Sequence, residues 1–304
     1  MTVLSRIGNT SLVQMRSDPR IFLKLESENP TGSLKDRMAL AMIEAAEAAG
    51  HLGPGGSVVE YTAGSTGVSL ALVCAVRHYP LHIVTSDAFA PEKLAHMETL
   101  GARLTMIPSH GAGMTEQLTL DMVEAARAIR QESGAFWADQ LNNPAPLAAY
   151  HTMADEIWRQ TEGRIDGSVQ SVGTAGSLRG NAEQLRRHNP RIRVAAVEPS
   201  ESPVLSGGQT GSHHIDGVGA GFVVPLWRSD IADDIERVST VEAKAMAKRL
   251  AREEGLFPGT STGGNVVAAV RLADRLGPTA MVVTIMCDTG MKYLHTERTL
   301  KQLA

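Results

Sequence analysis

The chain has 304 residues, 43% of them hydrophobic, which suits two domains or one large α/β unit with aliphatic cores. Aromatic residues make up only 4%, the formal charge is −4 and no long basic run occurs, so nucleic acid is not expected as a partner. The two cysteines, Cys74 and Cys287, fall in apolar runs; they read as packed, reduced thiols of a cytosolic protein and are too few for structural zinc. The opening, MTVLSRIGNTSLVQM, lacks the apolar stretch of a signal peptide, and the most apolar run, AMVVTIMC, is too short to span a bilayer. The expectation is a soluble, cytoplasmic protein.

In chain order, the first clear element is a helix. Met38, Ala41, Met42, Ala45, Ala46 and Ala49 recur at helical spacing and Gly50 is a natural stop, which puts Lys35 in the first turn. A cation there sits against the positive end of the helix dipole. Lys35 is therefore either a solvated lysine that tolerates a small penalty, or an amine kept reactive for Schiff-base chemistry. Strands are expected at 57–61, 81–86 and 102–108, each followed by a helical pattern, the last running to about Ala128. Further strands are expected at 167–172, 193–199 and 280–286. Strands alternating with helices imply parallel sheets with helices on both faces, in two blocks before and after about residue 145.

Ligands of such folds bind beyond the carboxyl ends of strands. TAGSTG (62–67) follows a strand and opens a helix, where small residues and free N–H groups suit a carboxylate or phosphate, or serve only as a helix cap. GTAGS (173–177) has the same setting without a Walker lysine, and reads as an anion cradle or a tight turn. GTSTGGN (259–265) leads into a third helix, and on pattern alone its Ser261 is no more than a cap. The histidines show no H-E-x-x-H pattern, so no metal is expected, and the adjacent His213 and His214 are expected to face water. No G-x-S-x-G elbow supports a serine hydrolase.

These segments, in this order, resemble the cysteine synthase family, the β-replacement branch of pyridoxal-phosphate enzymes with the tryptophan-synthase-β-like fold. IGNTSLV (7–13) resembles the family's opening, and NPTGSLKDR (29–37) its cofactor-lysine segment. TAGSTG resembles the substrate loop Thr-Ser-Gly-Asn-Thr-Gly, DQLNNP (139–144) a Gln-Phe-x-Asn-Pro stretch, and GTAGS the phosphate loop Gly-Thr-Gly-Gly-Thr. VEPSESPVLSGG (197–208), GVGAGF (217–222) and GTSTGG (259–264) also match. The resemblance implies fold type II: two doubly wound three-layer α/β domains with pyridoxal 5′-phosphate in the cleft between them. It implies a smaller, mobile domain over 35–145 and a larger one made of 1–34 with 146–304, in a homodimer. By the same resemblance Lys35 holds the cofactor as a Schiff base and later moves the substrate Cα proton. Gly173, Thr174, Ala175, Gly176 and Ser177 hold its phosphate, and Ser261 bonds its pyridine nitrogen. Thr62, Ala63, Gly64, Thr66 and Gln140 receive the substrate carboxylate. Ser65 falls where the family has an asparagine beside the cofactor's 3′-oxygen.

The implied reaction is β-replacement on an O-activated L-serine, with cysteine synthesis from O-acetyl-L-serine and sulfide as its leading form. Ala63 and Ser65 depart from the family pattern and remove polar groups from the substrate loop. A lost hydrogen bond to a charged group costs about 1.5–3 kcal/mol if nothing replaces it, so the donor is left open. Alternatives are another β-replacement, such as cystathionine formation, a serine or threonine dehydratase, and a non-catalytic cofactor-binding regulator. Thr66 stands where dehydratases of this fold have histidine, which argues against the second.

Overall fold

The β-branched runs become strands of two separate sheets because each run is bounded by Gly, Pro or polar turn residues and followed by an amphipathic helix. The computed structural model describes residues 1–111 and 115–294. Its elements begin with β1 (Leu12–Gln14), β2 (Ile21–Leu25), α1 (Lys35–Ala48), β3 (Val58–Tyr61), α2 (Ser65–Arg77), β4 (Leu81–Ser86), α3 (Pro91–Thr99) and β5 (Arg103–Ile107). They continue with α4 (Glu116–Ser133), β6 (Phe136–Trp137), α5 (Pro146–Gln160), β7 (Gly167–Ser171), α6 (Gly176–His188) and β8 (Arg193–Pro199). The series closes with β9 (Asp234–Val238), α7 (Thr240–Arg249), α8 (Thr260–Leu276) and β10 (Val282–Met286).

Of the described residues, one compact unit comprises 1–7, 35–145 and 291–294. Its sheet runs β5-β4-β3-β6, all parallel, with Val58 opposite Leu81 and Phe136. From β3 the chain moves outward through α2 and α3 to β5, then returns through α4 to β6. Right-handed crossovers in opposite directions put α4 on the other face from α2 and α3. The packing agrees, since Val59, Tyr61 and Val84 share a core with Leu118, Met122 and Ala126 of α4. Strand alternation then turns Val58 and Glu60 to the opposite face, and all four residues of β3 are buried.

The second unit comprises Gly8–Leu34 and Pro146–Gly290. Its sheet runs β1-β2-β10-β7-β8-β9, parallel except that β1 pairs antiparallel with β2. Ile21, Leu23, Val169, Ala195 and Val282 pack with Val266, Ala269 and Leu272 of α8. The α5–α6 crossing is close because Gly180 has no side chain: a Cβ there would lie 2.7 Å from the Leu147 carbonyl oxygen. Strands β4 and β8 coincide with the sequence expectation, and β3, β5, β7 and β10 begin or end one or two residues inside it. Residues 295–304, read from sequence as the end of the larger domain, and 112–114, read into the smaller one, lie outside the described residues.

Candidate active site

In the first unit the strand order reverses between β3 and β6, and in the second between β7 and β10. Such reversals open a crevice at the carboxyl ends of the strands. The loops singled out in the sequence lie there.

After β3 the chain turns through Thr62, Ala63 and Gly64 into α2. Gly64 has φ 136°, a conformation that glycine tolerates, and its N–H donates to Thr62 Oγ1 at 3.0 Å. A side chain at Gly64 would collide with the stem of Lys93, itself 5% exposed with its Nζ 4.2 Å from the Tyr293 ring centroid. The Thr62 carbonyl accepts the Thr85 hydroxyl at 3.0 Å. Ser65, Thr66 and Gly67 form the first turn of α2, whose N–H groups have no intrahelical acceptor. Gln140, just past β6, is tied to this turn: its Oε1 accepts from Thr66 Oγ1 at 2.8 Å, and its Nε2 donates to the Tyr61 carbonyl at 2.8 Å. One amide proton of Gln140 remains for a ligand. Lys35 is the first residue of α1 and half-buried. Its neighbour Asp36, fully buried, accepts the Ser69 hydroxyl of α2 at 2.6 Å, so the lysine's turn is fixed against the helix opened by TAGSTG. Ala63 and Ser65 are half-buried in the same loop.

After β7 of the second unit, residues 173–177 turn into α6. Gly173 must be glycine, since a Cβ would strike the Gly217 carbonyl oxygen, and Ala175 takes the left-handed conformation at φ 66°. A Cβ at Gly176 would meet only ordinary van der Waals neighbours, the nearest Leu226 and Thr174 at 3.7 Å. A small-residue turn ending in a helix N-terminus fits a phosphate by amide donors and dipole together, and Thr174 and Ser177 carry hydroxyls in that turn. Ser261 is buried in the first turn of α8, beside two residues that lock it to strand ends. Thr262 Oγ1 accepts Cys287 N at 3.1 Å, and Asn265 Oδ1 accepts Ser171 N at 2.7 Å. The loop 216–219 joins these parts, with Gly219 N on the Val172 carbonyl at 2.9 Å and Asp216 N on Thr260 Oγ1 at 3.1 Å.

One expectation is corrected here. His213 does not face water like its exposed neighbour His214. It is half-buried, its Nδ1 accepts Ile215 N at 3.3 Å, its Nε2 meets the Gly219 carbonyl at 3.4 Å, and burial lowers its pKa. The loop folds back on itself at Gly217 and Gly219, both at positive φ, which covers one ring and leaves the next outside. Both cysteines are free thiols. Cys74 is buried, with its thiol pushed up to about 12 by desolvation, while Cys287 Sγ accepts Asn265 Nδ2 at 3.3 Å. No group of residues that could hold a metal occurs among the described residues.

Two features escaped the sequence reading. Lys24, fully buried in β2, donates to the Thr10 carbonyl at 2.6 Å and pairs with Glu156 at 2.6 Å, while Glu26 accepts from Thr10 Oγ1 and Asn29 Nδ2. This network pins both motif segments at the start of the chain, and its signal was a lysine inside the apolar run IFLKL. Glu60, fully buried in β3, accepts Tyr61 N at 2.9 Å through Oε1 and Gln140 N at 3.1 Å through Oε2. Desolvation pushes its carboxyl up to about 8.

The pyridoxal-phosphate-dependent enzyme family matches residues 3–288. A cysteine synthase of Staphylococcus aureus is 38% identical over 297 residues, covering 95% of this chain and 94% of its own. Among solved structures, an O-ureido-L-serine synthase superposes with TM-score 0.91 at 34% identity, covering 96% of this chain and 93% of its own. An O-acetylserine sulfhydrylase isoform 3 of Entamoeba histolytica superposes with TM-score 0.90, also at 34% identity, covering 97% and 90%. Two α/β sheets, a helix-opening lysine and two small-residue turns that open helices accord with these likenesses, and the chain belongs to the pyridoxal-phosphate-dependent enzymes, as a relative of the cysteine synthases with pyridoxal phosphate as its cofactor.

Proposed function

We propose that the protein replaces the acetoxy group of O-acetyl-L-serine with sulfide, giving L-cysteine and acetate. The observation that carries this reading is the α2 N-terminus with Gln140 fixed across it by Thr66 and Tyr61, a receptor of the size and polarity of one α-carboxylate. When bound, pyridoxal phosphate supplies the electron sink that acidifies the substrate Cα–H and lets the β-substituent leave. Lys35 would hold the cofactor through its Nζ and then take the Cα proton, its stem fixed by the buried turn of α1. Gly173, Thr174, Ala175, Gly176 and Ser177 would hold the phosphate. Ser261 would meet the pyridine nitrogen as a neutral hydroxyl, which does not sustain a full positive charge there. Thr62, Ala63, Gly64, Thr66 and Gln140 would orient the substrate carboxylate, and Ser65 would stand beside the 3′-oxygen. In this reading 35–145, with which 1–7 and 291–294 group, is the smaller, mobile domain, and the rest of 1–34 with 146–290 belongs to the larger one, in a cytoplasmic homodimer.

The experiment is turnover of O-acetyl-L-serine and sulfide by the holoenzyme, with cysteine and acetate quantified. Equal amounts of both support the proposal, and pyruvate without cysteine would sink it. A second reading, the same donor with another nucleophile, is favoured by the likeness to an O-ureido-L-serine synthase. Substituting hydroxyurea or homocysteine for sulfide in the same assay separates the two.

A further inference from the structure

Glu60 occupies a place where a negative charge works against its surroundings. It lies two residues before Thr62, on the face of β3 away from α4, and is fully buried. Its carboxyl spans two backbone segments, with Oε1 on Tyr61 N and Oε2 on Gln140 N. Those residues are also the ones that Gln140 Nε2 and Thr66 Oγ1 join from the other side, so the carboxyl, the end of β3, Gln140 and the first turn of α2 form one closed hydrogen-bonded set. Breaking the Glu60 contact with Gln140 N would free the backbone that carries the carboxylate-binding amide.

We propose that Glu60 is a positioning residue of the substrate-carboxylate site, and that it must be neutral for that site to hold an anion. This rests on the assignment of residues 62–66 and Gln140 to the substrate carboxylate. The physical argument is Coulombic. An ionised Glu60 would place a charge, met by N–H dipoles of Tyr61, Gln140 and Trp137, in a low-dielectric interior next to the site meant to attract a carboxylate, and like charges so arranged do not both ionise freely. Desolvation outweighs the hydrogen bonds from Gln140, Tyr61 and Trp137, which favour the ion, and pushes the carboxyl up to about 8, which keeps the acid mostly neutral near pH 7. The ionisable side chains around it do not reverse this: Lys93 of α3, whose stem lies beside Gly64, holds its Nζ over the Tyr293 ring at 4.2 Å. Asp139, after β6, repels the charge, and Tyr61 on β3 itself is neutral. On α2, Cys74 is a neutral buried thiol and Arg77 pairs with Glu44 of α1 at 2.9 Å. On β4, His82 bonds Thr105 on the Val59 side of the sheet, and the charged residues of α4 lie on its exposed side. Bound carboxylate and Glu60 proton are therefore linked: each favours the other.

The test measures binding of L-alanine, an amino acid with no β-leaving group, to wild-type and Glu60→Gln holoenzyme across the pH range. The ratio of the two affinities cancels titration of the ligand amine and of the cofactor. Wild type should lose about tenfold in affinity relative to E60Q between about pH 7 and about pH 9.5, the effect of a coupling of roughly one pKa unit. Infrared difference spectra of wild type alone give a second readout: a buried carboxylic-acid C=O band should vanish as pH rises through about 8 and persist to higher pH with L-alanine bound. That band needs no variant and stands even if E60Q does not fold. A flat affinity ratio, or a band whose titration ignores the ligand, overturns the proposal while leaving the carboxylate site in place. If L-alanine binds without slowing amide exchange at residues 62–67, the carboxylate assignment fails, and this inference with it.

Discussion

Replacing Lys35 by alanine separates attachment of the cofactor from its binding. The α6 N-terminus and residues 173–177 remain, so cofactor should still bind, but borohydride should no longer fix it to the chain. Mass spectrometry of the reduced protein checks this, and a reduced cofactor on another lysine would remove Lys35 from its role. Glu60 makes a prediction about stability. Its carboxyl has an ordinary value of 4.5 and is pushed up to about 8 by burial. Between those values the folded chain keeps a proton that the unfolded chain has released. Its stabilising contribution is therefore complete below 4.5 and lost as pH rises through about 8. The melting temperature of wild type should fall relative to E60Q across that window, and run parallel to it above and below. The third concerns donor choice: Ala63→Ser with Ser65→Asn should shift kcat/KM toward O-acetylserine by roughly tenfold, about one hydrogen bond. An unchanged ratio between O-acetylserine and bulkier O-substituted donors would make those two residues neutral. At this scale the loops were legible in the sequence as small-residue turns opening helices, while the roles given to them came from the family resemblance. Glu60 was not, because a glutamate in VVEY reads as the outward residue of a half-exposed strand, and only the helices on both faces bury it.

Elements differ in how plainly they announce themselves. β4 and β8 are buried on both faces around the aliphatic stretches IV and VAAV, bounded by polar residues or proline, so their bounds were recovered. β6 has two residues and β9, DIERV, carries three charged residues against two apolar ones over a half-exposed surface, and neither pattern rises above that of a loop. α5 hides behind NNPAP, although Pro146 is at its first position, where proline is well tolerated. The turn into α6 carries a prediction of its own. Ala175 holds a left-handed conformation at φ 66°, which costs an L-residue about 1–2 kcal/mol relative to glycine. Ala175→Gly should raise stability by roughly 1 kcal/mol in denaturant melts, the relief offset in part by the entropy of a more flexible unfolded chain. Destabilisation would mean that the methyl group packs more than it strains.

Over the whole molecule the two sheets differ in how the chain builds them. The four strands of the smaller sheet, Val58 through Trp137, come from one uninterrupted stretch. The larger sheet is assembled from both ends: β2 pairs with β10, so that Ile21 sits opposite Val282, and β10 separates β2 from β7. A chain ending at Ala280 should therefore lose the larger sheet as a unit. Limited proteolysis should then degrade 146–280 while sparing 35–145, and equal protection of both would contradict the topology.

The position of β10 also sets an order of events during synthesis. The ribosome delivers β2 early and its partner only after almost every other element, so β2 and β7 wait with open ladders of unpaired N–H and C=O groups. Such edges template wrong pairings, and closing contacts this distant in sequence is slow. The smaller sheet can form on the nascent chain before β10 is made; the larger one must wait for β10. In a cell this makes the late-arriving strand, rather than the chemistry of the site, the point at which crowding, heat or a slow chaperone would first cost the organism active enzyme.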